Sequence, residues 1–116
     1  MGEDRLPPVH PGEILRLDFL EPLGISQYAL AKAIGVPPQR ILEIVHGRRA
    51  VTADTALRLG RYFGDQPQLW LNLQTRYDVD HAEDALGDRL EREVTPRAAQ
   101  YAPLRADAPP RMVNSR

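Results

Sequence analysis

The segment from Ser26 to Phe63 constrains the fold more than any other part of the chain. It reads SQYALAKAIGVPPQRILEIVHGRRAVTADTALRLGRYF. Ser26 is placed to cap a helix, because its hydroxyl can accept a hydrogen bond from a first-turn N–H that has no intrahelical partner. Leu30, Ala31 and Ile34 follow at helical spacing and form one apolar stripe, while Ala29 and Ala33 are small enough for another helix to approach. Gly35 stands where a left-handed C-cap is expected, a conformation that glycine adopts at little steric cost. Pro37 and Pro38 suit the start of a second helix, where a missing N–H leaves nothing unsatisfied. Ile41, Ile44 and Val45 then recur on a core-facing stripe, with Gln39, Arg40 and Glu43 between them facing outward. Gly47 ends that helix. Thr52 caps a third, whose expected buried face is Ala56, Leu59, Tyr62 and Phe63. Two short helices joined by a tight turn, a basic loop and a closing helix make a helix-turn-helix, a scaffold that lays its second helix in the DNA major groove.

The remaining chain extends this unit at both ends. A polar lead is expected over 1–9. Helix 1 is expected from Pro11 to Leu20, with Ile14, Leu15, Leu17 and Leu20 as its apolar positions, broken by Glu21-Pro22-Leu23-Gly24. Pro67 opens helix 5, which carries Leu69, Trp70, Leu71, Leu73 and Tyr77. The charged stretch from Asp78 to Arg92, with Ala82, Leu86 and Leu90 at helical spacing, either continues helix 5 or forms a sixth helix after a bend. The division read from these patterns is a helix-turn-helix domain over 10–79, a C-terminal helical extension over 80–95, and a Pro-rich tail over 96–116 without fixed structure. The fold class is all-α. Helix 5 carries more apolar surface than a small bundle needs, which makes Trp70, Leu73 and Tyr77 candidates for an interface between two copies.

Composition narrows the function. The chain has 116 residues and no cysteine, enough for one domain and with no thiolate available for a disulfide or a metal. No apolar run approaches the roughly 18 residues a membrane helix needs, and no signal-peptide pattern is present, so a cytoplasmic protein is expected. His10, His46 and His81 lack the spacing that places two ligands on one helix face, and there is no glycine-rich phosphate loop or nucleophile elbow. Catalysis, a metal and a cofactor are therefore not expected. The formal net charge is −1, but between Gly35 and Tyr62 five arginines stand against two acids. The reading unit is thus the basic part of a near-neutral protein, for which modest non-specific DNA affinity and binding as a pair of copies are expected.

Beyond the helix-turn-helix, four blocks carry a family resemblance: HPGEIL from His10 to Leu15, SQYALAKAIGVPPQRILEIVHGRR, VTADTALRLGRYFG, and LWLNLQTRYD from Leu69 to Asp78. Together they resemble the HigA antitoxins of the lambda-repressor-like, or XRE, helix-turn-helix group, over roughly Val9 to Val94. The resemblance implies a five-helix DNA-binding domain with a helical extension. It implies a homodimeric antitoxin that neutralises a RelE/HigB-like messenger-RNA-cleaving toxin and represses its own operon at a palindromic operator.

The same resemblance assigns site roles. Gln27 looks like the phosphate-contacting glutamine at the start of helix 2. Pro38, Gln39, Arg40 and Glu43 look like the base-reading positions of helix 3, with Arg40 suited to guanine O6 and N7 and Gln39 to adenine N6 and N7. Leu42 stands where relatives often carry a polar residue and is expected to pack. His46, Arg48 and Arg49 look like phosphate contacts. The acidic run Asp78, Asp80, Glu83, Asp84, Asp88, Glu91 and Glu93 is a candidate complement to a basic toxin, or else a solvated charged helix. Two alternatives are a stand-alone XRE regulator without a toxin, and an interaction module that has kept the fold without binding DNA.

Overall fold

The computed structural model describes residues 7–97 and is all-helical there. The expected lead and Pro-rich tail lie largely outside these residues. Packing divides the chain after Asp84 into two compact units.

Helix α1 is continuous through Pro11–Ile14, a π-helical stretch Leu15–Leu20, and Glu21–Leu23. His10 is its N-cap: the ring Nδ1 accepts from the Gly12 N–H at 2.9 Å, and Pro11 fills the first position. The expected break over Glu21-Pro22-Leu23-Gly24 comes only at its last residue and not at Pro22. In an α-helix the proline ring would strike the carbonyl four residues back. Here the preceding turn is already widened, with the Glu21 N–H donating to the Arg16 carbonyl five residues back, and Pro22 continues the helix. The helix stops instead at Gly24, which takes φ of 68°.

The next helices follow the local signals. Ser26 Oγ accepts from the Ala29 N–H at 3.0 Å to start α2, Gln27–Ile34, and Gly35 closes it at φ of 77°. Helix α3, Pro38–Val45, begins directly after an extended Pro37 and ends through His46 into Gly47. Thr52 caps α4, Ala53–Phe63. Helix α5, Pro67–Leu86, carries the first part of the charged stretch, so the continuous alternative holds as far as Leu86 and the separate-helix alternative beyond it. Gly87 interrupts it, and α6, Arg89–Glu93, follows.

The core is made by Leu15, Leu30, Ile41, Ile44, Leu59 and Trp70, all fully buried, with smaller residues filling around them. Phe19, Phe63 and Trp70 stack as an aromatic group, with Phe19 at 4.8 Å from Phe63 and 5.0 Å from Trp70 between ring centroids. Two of the expected apolar positions are open to solvent, and one of them, Tyr62, was expected on a buried face. Leu17 is 44% exposed, and Tyr62 is 43% exposed. Each sits at the edge of its stripe, and on α4 the buried face centres on Ala56, Leu59 and Gly60. Ala29 and Ala33 are likewise exposed and receive no helix. Among the described residues no helix is long and apolar enough to cross a membrane.

Two contacts fix where α3 stands, one a close backbone approach and one a side-chain hydrogen bond. Gly12 is buried against the end of α3, so near that an added Cβ would lie 1.7 Å from the Ile44 carbonyl oxygen. Gln74, buried on α5, accepts from the Val51 N–H at 2.7 Å and donates to Asp78 at 2.9 Å. The first contact seats α3 on α1. The second ties the loop after it to α5.

Candidate nucleic-acid interface

Helix α3 has two sides of opposite chemistry. Ile41 and Ile44 are fully buried, whereas Pro38 and Gln39 are exposed and Arg40 and Glu43 lie partly open on the other side. The buried isoleucines fix the rotation of the helix, so the polar side is presented by the core rather than by chance. Gln27, the first residue of α2, is half-buried beside its Ser26 cap. Leu42 is half-buried, consistent with a packing role.

The polar groups on this side are already organised among themselves. Glu43 accepts from Arg49 Nε at 2.7 Å and from Gln39 Nε2 at 3.4 Å. The Arg49 hydrogen bond, and after it that from Gln39, hold the Glu43 carboxyl below the ordinary carboxylate range. Arg49 is thereby folded back over α3. Arg40 Nη1 stands 3.8 Å from Asp54 Oδ2, and Arg58 Nε stands 3.0 Å from the same oxygen. Arg58 also donates through Nη1 to the Ile34 carbonyl at 2.8 Å, at the end of α2. Arg40, Arg49, Asp54 and Thr55 line a shallow groove of about 240 Å³ between α3 and the start of α4.

The loop after α3 is held in shape by hydrogen bonds. His46 Nδ1 lies 2.8 Å from the Leu42 carbonyl, a contact that requires the proton on Nδ1. The Arg48 N–H donates to the Glu43 carbonyl at 2.8 Å, and the Arg48 side chain is exposed. His10 supports the loop from beneath. Its ring faces Gly47, hydrogen-bonds to the Arg49 backbone, and meets Tyr77 edge-on at 4.8 Å. Burial pushes the His10 pKa below its ordinary value, against smaller opposing effects of Asp78 and of the Arg49 backbone. Nδ1 is already an acceptor for the α1 cap, so the neutral imidazole is the form that satisfies both neighbours. The sequence alone leaves His10 open between a cap and a solvated residue, and the structure makes it the cap. Its contacts with the basic loop and with α5 depend on tertiary structure and had no local signal.

A helix-turn-helix family model matches residues 18–67. The chain is 58% identical over 82 residues to virulence-associated protein I of Dichelobacter nodosus, covering 71% of this chain and 76% of that protein. It is 38% identical over 79 residues to antitoxin HigA-1 of Vibrio cholerae, covering 68% of this chain and 74% of that one. The chain belongs to the HigA antitoxin family. A solved HigA structure, the Pseudomonas aeruginosa antitoxin with the higBA promoter, is 46% identical and superposes with a TM-score of 0.75, covering 78% of this chain and 98% of that one.

Within this HigA-family fold, the candidate interface between copies needs one correction. Trp70 is fully buried in the chain's own core, with its indole Nε1 donating to Asp65 at 3.2 Å, so it has no surface to offer a second copy. Its size and its partner both place it inside. Leu73 and Tyr77 are half-buried, and Leu69 and Val79 are the exposed large apolar residues of α5. The acidic run is partly engaged within its own helices. Asp78 accepts from Gln74, Asp80 pairs with Arg76 at 3.3 Å, and in α6 Asp88 and Glu93 pair with Arg92 and Arg89.

Proposed function

We propose that this chain is the antitoxin of a type II toxin-antitoxin module, and that it represses its own operon by binding a palindromic operator as a homodimer. The observation that carries this reading is the exposed first turn of α3, with Pro38, Gln39 and Arg40 facing outward from a helix whose opposite side is locked into the core. Gln27 and the exposed Arg48 flank that turn in the manner of phosphate contacts, and Glu43, His46 and Arg49 shape its far end. Such an arrangement lets phosphate contacts set the register while the short helix reads base edges. The relationship to an antitoxin solved with its promoter supports the same reading. Two copies joined through α5, with Leu73 and Tyr77 in the contact, would hold two recognition helices about 34–36 Å apart, one turn of DNA.

The protein partner in this reading is a RelE/HigB-like ribonuclease. Such toxins are typically basic, and the acids of α5 and α6 offer charge complementarity. The role is one of binding rather than catalysis, carried out in the cytoplasm. Two experiments test the two halves. Arg40→Ala is expected to weaken operator binding by roughly 1–3 kcal/mol, with relaxed discrimination at one guanine. Unchanged discrimination would remove Arg40 from base reading. Co-expression with the product of the adjacent gene is expected to relieve the growth arrest that product causes alone, and failure of relief would remove the antitoxin role.

A further inference from the structure

Asp54 has no role in the reading above, yet it sits at the junction of all three helices of the helix-turn-helix unit. Its Oδ2 is shared by Arg58 at 3.0 Å and Arg40 at 3.8 Å. Arg58 is itself anchored, because its Nη1 donates to the Ile34 carbonyl at 2.8 Å. The chain of contacts therefore runs from the last residue of α2, through two side chains of α4, to the guanidinium of α3. Each link limits the freedom of the next. Thr52 caps α4 two residues before Asp54, so the carboxylate is carried on a fixed first turn.

We infer that Asp54 is a positioning residue for operator recognition, holding the Arg40 guanidinium over the recognition side of α3 while leaving its remaining N–H groups for a base edge. Arg40 meets Asp54 through Nη1, and a guanidinium has five N–H donors in a planar fork. One edge can rest on the carboxylate while another faces guanine O6 and N7. The contact to Arg40 is long and the carboxylate is 57% exposed, so the pair adds little to folding stability. Its use is to order a long side chain before DNA arrives. An exposed pair can order the side chain in advance by no more than its own interaction, roughly 2- to 5-fold in binding.

This inference rests on the proposal that the chain reads an operator, and its test separates the two. Affinities of the full-length chain for its own promoter fragment and for an unrelated duplex are measured at one salt concentration, for the wild type, Asp54→Asn, Arg40→Ala and the double variant. Asp54→Asn removes a negative charge and so raises general DNA affinity. The informative quantity is the ratio of promoter to unrelated binding. That ratio is expected to fall about 2- to 5-fold in Asp54→Asn and to stay constant when the same change is made on Arg40→Ala. Asp54→Glu, which keeps the carboxylate, is expected to restore part of the loss, and thermal unfolding reports whether each variant is folded. A ratio unaffected by Asp54→Asn, or a fall of equal size with and without Arg40, would overturn the positioning role. A wild type with no promoter preference would overturn the operator reading itself.

Discussion

Replacing Gly12 by alanine puts the packing of the recognition helix to a severe test. The added Cβ would fall 1.7 Å from the Ile44 oxygen, 2.5 Å from the Ile44 carbonyl carbon and 2.9 Å from the Val45 Cα. All three atoms are backbone, so no side chain can rotate away to make room. The start of α1 and the end of α3 must separate by more than about 1 Å, against interiors whose contacts weaken by a quarter to a half over a gap of about 0.5–1 Å. Overpacking of this kind costs roughly 1–3 kcal/mol, and the rigid obstruction places it near the upper end. Alanine regains up to about 1 kcal/mol through helix propensity, leaving a net loss near 2 kcal/mol. For a domain of this size that lowers the unfolding midpoint by about 8–16 °C. Thermal unfolding followed by circular dichroism measures it directly, with the exposed neighbour Glu13→Ala expected to fall within about 0.5 kcal/mol of wild type. A Gly12→Ala midpoint within about 3 °C of wild type would refute the argument that this approach seats α3.

Other perturbations probe the supports around the same helix. His10→Asn keeps a side-chain acceptor at the cap but removes the imidazole. The pKa of His10 is lowered from 6.5 by burial, so below pH 6.5 the unfolded chain binds more protons than the folded one. Stability therefore falls as pH drops through the window between 6.5 and the lowered value, and flattens beneath it. Unfolding midpoints at neutral and mildly acidic pH should converge less in the wild type than in His10→Asn, and equal pH slopes would contradict this. Gln74→Leu leaves the Val51 N–H without its acceptor and is expected to cost about 1–3 kcal/mol by urea unfolding. Trp70→Ala is expected to cost about 3–5 kcal/mol, well beyond Leu73→Ala, because Trp70 alone of the two is fully buried.

Much of this fold was legible because its punctuation is local. Ser26, Gly35, Gly47 and Thr52 act within a few residues of themselves, so their spacing announced the helix ends. The resemblance assigned roles to Gln27, Pro38, Gln39 and Arg40, and the structure leaves these residues at or near the surface. What escaped was non-local. Pro22 reads as a breaker until the π-helical turn before it is known, and that turn is a property of the whole helix. The sequence lets Trp70 be read as core or as part of helix 5's apolar surplus, and its burial beside Phe19 and Phe63 decides for the core. Periodicity finds the centre of a stripe better than its edges, and Tyr62, expected on the buried face of α4, is 43% exposed at its end. Asp54 and Arg58 stand four residues apart and were readable as a helical pair, but their connection to Arg40 and to the Ile34 carbonyl was not.

The central claim is that α3 reads a specific sequence upstream of the chain's own gene. The most direct measurement is an electrophoretic shift of that upstream DNA at fixed physiological salt, with an unrelated duplex as competitor. The account predicts specific retardation at nanomolar to sub-micromolar protein that the unrelated duplex fails to displace. Binding no tighter to the upstream DNA than to the competitor would contradict it.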